Sequence, residues 1–166
     1  MNLAEAQAMA EEAKKRLGNE SGRVAVSDPV SLRQIKEFMA AMDDWDPLYF
    51  DEEAARQGPL GRIAAPAMFF SAPLRKIVPE SELWEDGQHK ATAAPGIRGR
   101  SLAGGTEVEL HGPVHVGDVI TSRVRTGDVY AKEGKIGAMV FQVRETTYTN
   151  QHDDLLAVER TTTIFR

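Results

Sequence analysis

The chain has 166 residues, 20 Lys and Arg against 25 Asp and Glu, 42% hydrophobic content and no cysteine. That length suffices for one domain that hides roughly 70% of its unfolded surface without disulfides or a structural metal. The missing cysteines exclude thiolate zinc sites, iron–sulfur clusters and a cysteine nucleophile, and a net charge of −5 without a clustered basic surface excludes a nucleic-acid scaffold.

Leu3, Ala6, Ala10, Ala13 and Leu17 recur at helical spacing among good helix formers, with Gly18 as the stop. Residues 1–20 are therefore expected to form a peripheral helix on the outside of the domain. The segment has neither the basic start nor the apolar stretch of a secretory leader, so a cytoplasmic location is expected. Val24 and Val26 read as a short strand that Pro29 ends. Ser31 followed by Gln34 is a capping-box pattern, which starts a helix near Leu32 with its apolar stripe at Leu32, Ile35, Phe38, Met39 and Met42. That helix ends at Asp43, Asp44 and Asp46, before Pro47.

A short helix is expected over Asp51–Arg56, then a loop at Gly58, Pro59 and Gly61. Pro66 suits the first turn of a buried helix running through Met68, Phe69, Phe70 and Leu74. The stretch Ile63–Leu74 is uncharged for 12 residues and holds two prolines, short of the about 20 that a bilayer span needs, so no membrane helix is expected. Residues 79–105 are rich in Gly and Pro and read as a long loop. From Thr106 the texture turns to alternation: Val108 and Leu110, Val114 and Val116, a turn at Gly117–Asp118, then Ile120, Ser122 and Val124. Ile136–Tyr148 and Leu155–Phe165 follow, separated by turns at Glu133–Gly134 and Asn150–Asp154. An antiparallel meander preceded by one buried helix defines an α+β domain spanning residues 1–166, its curved sheet packed around or against that helix.

The densest group of reactive side chains is Asp43, Asp44, Asp46, Tyr49 and Asp51. One reading is an acidic turn whose carboxylates bind nearby backbone N–H groups while Tyr49 and Phe50 pack inward. The other is an acid–base site, in which carboxylates crowded in a dry pocket raise one another's pKa. The run Asp44-Trp45-Asp46-Pro47-Leu48-Tyr49-Phe50-Asp51 resembles the signature Asp-x-Asn-Pro-(Leu/Ile)-His-x-Asp of the MaoC-type enoyl-thioester hydratases and dehydratases. The resemblance extends through Gly61-Arg62-Ile63-Ala64-Ala65-Pro66-Ala67-Met68-Phe69, Gly104–His111, Pro113–Asp118 and Glu145–Tyr148, over residues 22 to 166, and is best to the N-terminal MaoC-like dehydratase domain.

The resemblance implies a hot-dog fold and reversible hydration of an enoyl thioester on coenzyme A or acyl carrier protein, with no further cofactor. Asp44 stands at the motif aspartate, Asp46 replaces the asparagine and Tyr49 replaces the histidine. Histidine exchanges protons near neutrality whereas tyrosine, with an ordinary pKa of about 10, stays protonated and serves only as a hydrogen-bond donor. The resemblance therefore implies half of a paired hot-dog assembly, heterodimeric with a partner that carries the full motif, or a homodimer. The alternatives are a hot-dog thioesterase, an enzyme active alone through Asp44 or Asp46, and a non-catalytic acyl-binding or regulatory module.

A thioester carbonyl needs polarising, and the N–H groups of Ala65, Ala67 and Met68 at the start of the buried helix are the candidates, unless that segment is simply close-packed. Met68, Phe69, Phe70, Met39 and Met42 either line an acyl channel or form core. Arg98 and Arg100 within Gly96–Arg100 either grip a carrier phosphate or make a solvated basic loop. The four histidines look scattered, so no metal site is expected. No Gly-x-Ser-x-Gly elbow is present.

Overall fold

A computed structural model describes residues 1–17, 23–75, 77–83, 85, 87, 96–97, 100–135 and 137–166. The alternating runs become β1 (Arg23–Val26), β2 (Ser101–Leu110), β3 (Thr121–Gly134), β4 (Gly137–Thr149) and β5 (Leu155–Phe165), joined in one antiparallel sheet of order β1-β3-β4-β5-β2. Asn150 builds the β4–β5 turn by accepting the N–H groups of His152 at 2.9 Å and Asp154 at 3.0 Å on its side-chain oxygen. β2 begins five residues earlier than its alternation suggests. Gly104 explains why: a Cβ there would lie 2.9 Å from both Ile164 and Thr162, and the ladder is irregular between Ala103 and Gly105. Glycine here permits close approach within a bulged strand instead of marking a loop.

The helices are α1 (Leu3–Arg16), α2 (Leu32–Ala41), α3 (Pro47–Phe50) and α4 (Glu52–Gln57). Ser31 and Gln34 form the expected capping box on α2: the Ser31 hydroxyl accepts the Gln34 N–H at 3.2 Å and Gln34 Oε1 accepts the Ser31 N–H at 2.8 Å. Ser31→Ala is expected to cost about 1 kcal/mol, read as a lower urea midpoint at unchanged slope. Among the described residues no helix is long and apolar enough to cross a membrane.

The helix expected from Pro66 is instead a six-residue 3₁₀ helix, Phe69–Leu74. Pro73 lies inside it; lacking an N–H and clashing with the carbonyl four residues back, it blocks an α-helix and is accommodated by a tighter turn. Phe69 and Phe70 still reach the core with Ile35, Ile120, Tyr148, Leu156 and Ala157. So short an element covers only one end of the sheet. α1 covers the other: Ala6, Ala10 and Ala13, 0–3% exposed, share a second core with Val129, Val140 and Phe165. Their small side chains bring α1 close to β3 and β4, so the N-terminal helix lies on the outside of the domain with one face packed into this core and the rest exposed.

Strand register shows what lies between the two cores. Thr126, Arg144, Thr161 and Thr106 face one another across β3, β4, β5 and β2, flanked by rows containing Thr146 and Glu159 on one side and Gln142 and Thr163 on the other. None belongs to either apolar cluster. The inner face is thus apolar at both ends and polar across its middle.

On the opposite face a charge ladder crosses four strands. Glu145 accepts from Arg125 at 2.6 Å and from Arg160 at 3.0 Å, and Arg160 also pairs with Glu109. The Arg125 hydrogen bond holds the Glu145 carboxyl below the ordinary range, and Arg160 does the same for Glu109. A depressed carboxylate pKa stabilises the fold fully above the unfolded-state value of about 4.3 and loses that effect as pH falls through the lower folded value. Glu145→Gln is therefore expected to flatten the loss of stability below pH 4, measured by urea titration at several pH values.

Candidate active site

α2 ends where Asp43 turns the backbone left-handed at φ 54°, a conformation that Asp tolerates better than most residues. Each following acid then binds the local backbone or a neighbour. Asp43 Oδ1 accepts from Trp45 Nε1 at 2.9 Å, Asp44 Oδ1 from the Asp46 N–H at 3.1 Å, and Asp46 Oδ1 from the Leu48 N–H at 2.9 Å, capping α3 just before Pro47. Asp51 caps α4 through the N–H groups of Glu53 and Ala54. Trp45 stacks on Phe50 with ring centres 5.2 Å apart. The acids are exposed, whereas Tyr49 is half-buried against the first core. Burial, and then the negative charges of Asp44 and Asp46, push the Tyr49 hydroxyl above its ordinary pKa. Such a phenol keeps its proton at neutral pH and cannot act as a base.

The segment entering the 3₁₀ helix is built differently. Ala64 bridges His115, and the Ala65 N–H donates to the Val114 carbonyl at 2.7 Å, so that N–H is not free to polarise a ligand. Phe69 is 1% exposed and meets Phe38 edge-on at 5.5 Å, which makes it core instead of channel lining. Met68 is 50% exposed. A cavity of about 280 Å³ opens here, lined by Leu60, Ala65, Ala67, Phe70, Leu110 and His111 among others. Asp44, Asp46 and Tyr49 do not line it, although Tyr49 and Ala65 border the same core.

Arg98 lies outside the described residues. Arg100 pairs its backbone with Arg166, one residue ahead of β2, whereas the cavity meets β2 at its far end, Leu110. A strand of that length spans about 30 Å, which separates Arg100 from the cavity.

A second, polar cleft of about 540 Å³, not apparent from sequence spacing, includes Arg62, His111, His115, Asp118 and His152 in its lining. His111 and His115 are in fact four residues apart, but on the loop after β2 and not on one helix face. His152 joins them because the β2–β3 and β4–β5 connections lie at the same end of the sheet. β2 lies beside β5 and not beside β3 as the expected meander would have it, but the alternating strand directions still bring these two connections to one end, and that alternation was the available signal. Asp118 ties the loop together by accepting the His115 N–H at 2.8 Å, and its own backbone accepts from Val30 at 2.8 Å. Among the described residues no three His, Asp or Glu side chains converge as a metal site.

A five-stranded antiparallel sheet with its helical cover at the Pro66 segment, and an Asp-rich turn closing the preceding helix, defines a MaoC-like hot-dog domain. Residues 16–159 match the family described as FAS1-like, dehydratase domain region, and the chain belongs to that family. It is 29% identical over 139 residues to a probable enoyl-CoA hydratase alpha subunit of Thermomonospora curvata; the match covers 80% of this chain and 44% of that protein, so the chain spans under half its relative's length. Among solved structures, it resembles a chain of the ChsH1-ChsH2 complex from Mycobacterium tuberculosis, with a TM-score of 0.74 and 17% identity over 95% of this chain and 91% of that one. It also resembles a MaoC-like dehydratase from Rhodospirillum rubrum, with a TM-score of 0.59 and 21% identity over 90% and 96% of the two chains. At these identities the likeness is one of fold.

Proposed function

We propose that this chain is the substrate-shaping half of a paired hot-dog hydratase or dehydratase, acting in the cytoplasm on enoyl thioesters of coenzyme A or acyl carrier protein. The observation that carries the reading is Tyr49, which stands at the motif's histidine and whose pKa is raised by burial and by Asp44 and Asp46. Adding water across an enoyl double bond requires a base that takes a proton from water and an acid that delivers one to the α-carbon. Tyr49 supplies no base, and Asp44 and Asp46 each spend an oxygen on the turn's own N–H groups. Proton transfer then falls to a second hot dog with an intact motif.

What this chain contributes is shape and hydrogen bonding. Ala67 and Met68 retain the role of polarising the thioester carbonyl through their N–H groups, while the Ala65 side chain lines the apolar pocket beside them. Tyr49 donates a hydrogen bond, with Asp44 and Asp46 holding the turn that positions it. Acid–base chemistry needs no cofactor beyond the carrier. The two-protein complex among the structural neighbours supports pairing with a different hot dog, and the exposed edge strand β2 equally permits a second copy.

The test is crotonyl-CoA hydration, followed by loss of enoyl-thioester absorbance. The chain alone is expected to show no turnover above background, and mixing with a motif-bearing hot dog is expected to restore it. Turnover by the chain alone that Asp44→Asn abolishes would overturn the reading in favour of an independent enzyme. Acyl-CoA binding without turnover in any mixture would favour the binding module.

A further inference from the structure

We propose that the polar cleft of about 540 Å³ anchors the phosphate of the acyl carrier, the 4′-phosphopantetheine unit that coenzyme A and acyl carrier protein share. The inference rests on the thioester reading above and adds to it the place where the carrier is held.

Continuity is the first argument. The cleft and the 280 Å³ pocket share His111, Gly112 and Pro113 as a common rim. On one side of that rim the lining is Leu60, Ala65, Ala67, Phe70, Leu110 and Val114; on the other it is Arg62, His115, Asn150, Gln151 and His152. A carrier thioester has the same polarity order, apolar at the acyl end and anionic at the phosphate. A pocket and a cleft of opposite character in series match one ligand better than two.

Charge is the second. The guanidinium groups of Arg33, Arg56, Arg125 and Arg160 are each engaged by a carboxylate. Among the described residues none lies within ion-pair distance of Arg62, which leaves a planar fork of donors aimed at no protein acceptor and suited to phosphate. The imidazoles contribute less: His115 places Nδ1 on the Ile63 carbonyl at 3.3 Å, so its donor is used there and Nε2 of the neutral ring is an acceptor, and His111 Nε2 has Glu109 3.9 Å away, which leaves Arg62 as the group that meets the phosphate. Two carboxylates oppose an anion here. Asp118 is spent on the His115 N–H, and Asp154 accepts from Asn150 Nδ2 at 3.0 Å, so both serve the turns. Their charge still keeps the cleft from holding a bare anion tightly, and the rest of the carrier must supply affinity. That sets the expected order of ligands, phosphopantetheine above pantetheine above inorganic phosphate.

The experiment titrates the full chain with each of these three compounds, read by backbone amide chemical shifts, in wild type, Arg62→Gln and Arg100→Gln. The wild type is expected to bind phosphopantetheine about tenfold more tightly than pantetheine, the worth of one charge-assisted contact, with shifts at Gly112, His115 and Gln151. Arg62→Gln is expected to erase that advantage. Equal binding of phosphopantetheine and pantetheine by the wild type overturns the proposal, as does loss on Arg100→Gln with Arg62→Gln silent. Inorganic phosphate held as tightly as phosphopantetheine would make the cleft a general anion site and overturn the carrier assignment. The two readings separate by turnover. A paired assembly that hydrates crotonyl-CoA with an unchanged KM in Arg62→Gln refutes the cleft alone. Phosphopantetheine held through Arg62 by a chain that supports no hydration with a motif-bearing partner refutes the hydratase alone.

Discussion

Asp44→Asn in this chain is expected to leave crotonyl-CoA hydration by the paired assembly within about threefold, while replacing the motif histidine in the partner lowers kcat by about a thousandfold, the usual worth of a general acid or base. The asymmetry follows from how the acids are used. Asp44 holds the Asp46 N–H, and an asparagine carbonyl oxygen accepts that hydrogen bond equally well, so the turn survives the loss of charge. Removing the Asp44 charge also takes away one of the causes that raise the Tyr49 pKa, but burial, the largest, remains. Tyr49 therefore stays protonated in the variant. A fall of a hundredfold or more in kcat on Asp44→Asn, with KM unmoved, would place proton transfer in this chain and remove the argument for a division of labour.

Local chemistry was legible along the chain; convergence was not. The Ser31–Gln34 capping box and the Asn150 turn each rest on residues within a few positions of one another, and each stands as read; the alternation marked the strands but not their bounds, since β2 starts at Ser101 and Val114 and Val116 fall in the connection between β2 and β3. The acidic turn was legible in both of its senses, and the geometry shows its carboxylates binding backbone N–H groups. Pro73 misled because an apolar run after Pro66 looks helical until the missing N–H is charged against it. Gly104 and Gly105 misled in the other direction, since glycine marks a loop in a chain and a close approach in a bulged strand. The phosphate candidates show the limit most sharply. Arg98 and Arg100 stood out because two arginines lie close in sequence, whereas Arg62, His111 and His152 come together only through the shared end of the sheet.

The largest loss of stability is expected from Ala10→Glu. Ala10 is 3% exposed and shares its cluster with Val129, Val140 and Phe165, so a carboxylate there is set among apolar side chains and either stays charged at a high desolvation cost or takes up a proton. Either course costs about 3 kcal/mol or more, read as a drop in the urea midpoint. The effect should also be local. The rows of Thr126, Arg144, Thr161 and Thr106 separate this core from the one around Phe70 and Tyr148, so loosening α1 removes few apolar contacts from the far end of the sheet. Hydrogen exchange checks this. The amides of Val129, Val140 and Phe165 are expected to lose protection by sub-global opening, while Ile120, Tyr148 and Ala157 keep more of theirs. An equal loss at both ends would show that the polar rows transmit packing as well as an apolar layer does, and that the sheet has a single cooperative core. Unequal loss would mean that the end bearing the apolar pocket and the cleft holds its geometry independently of α1.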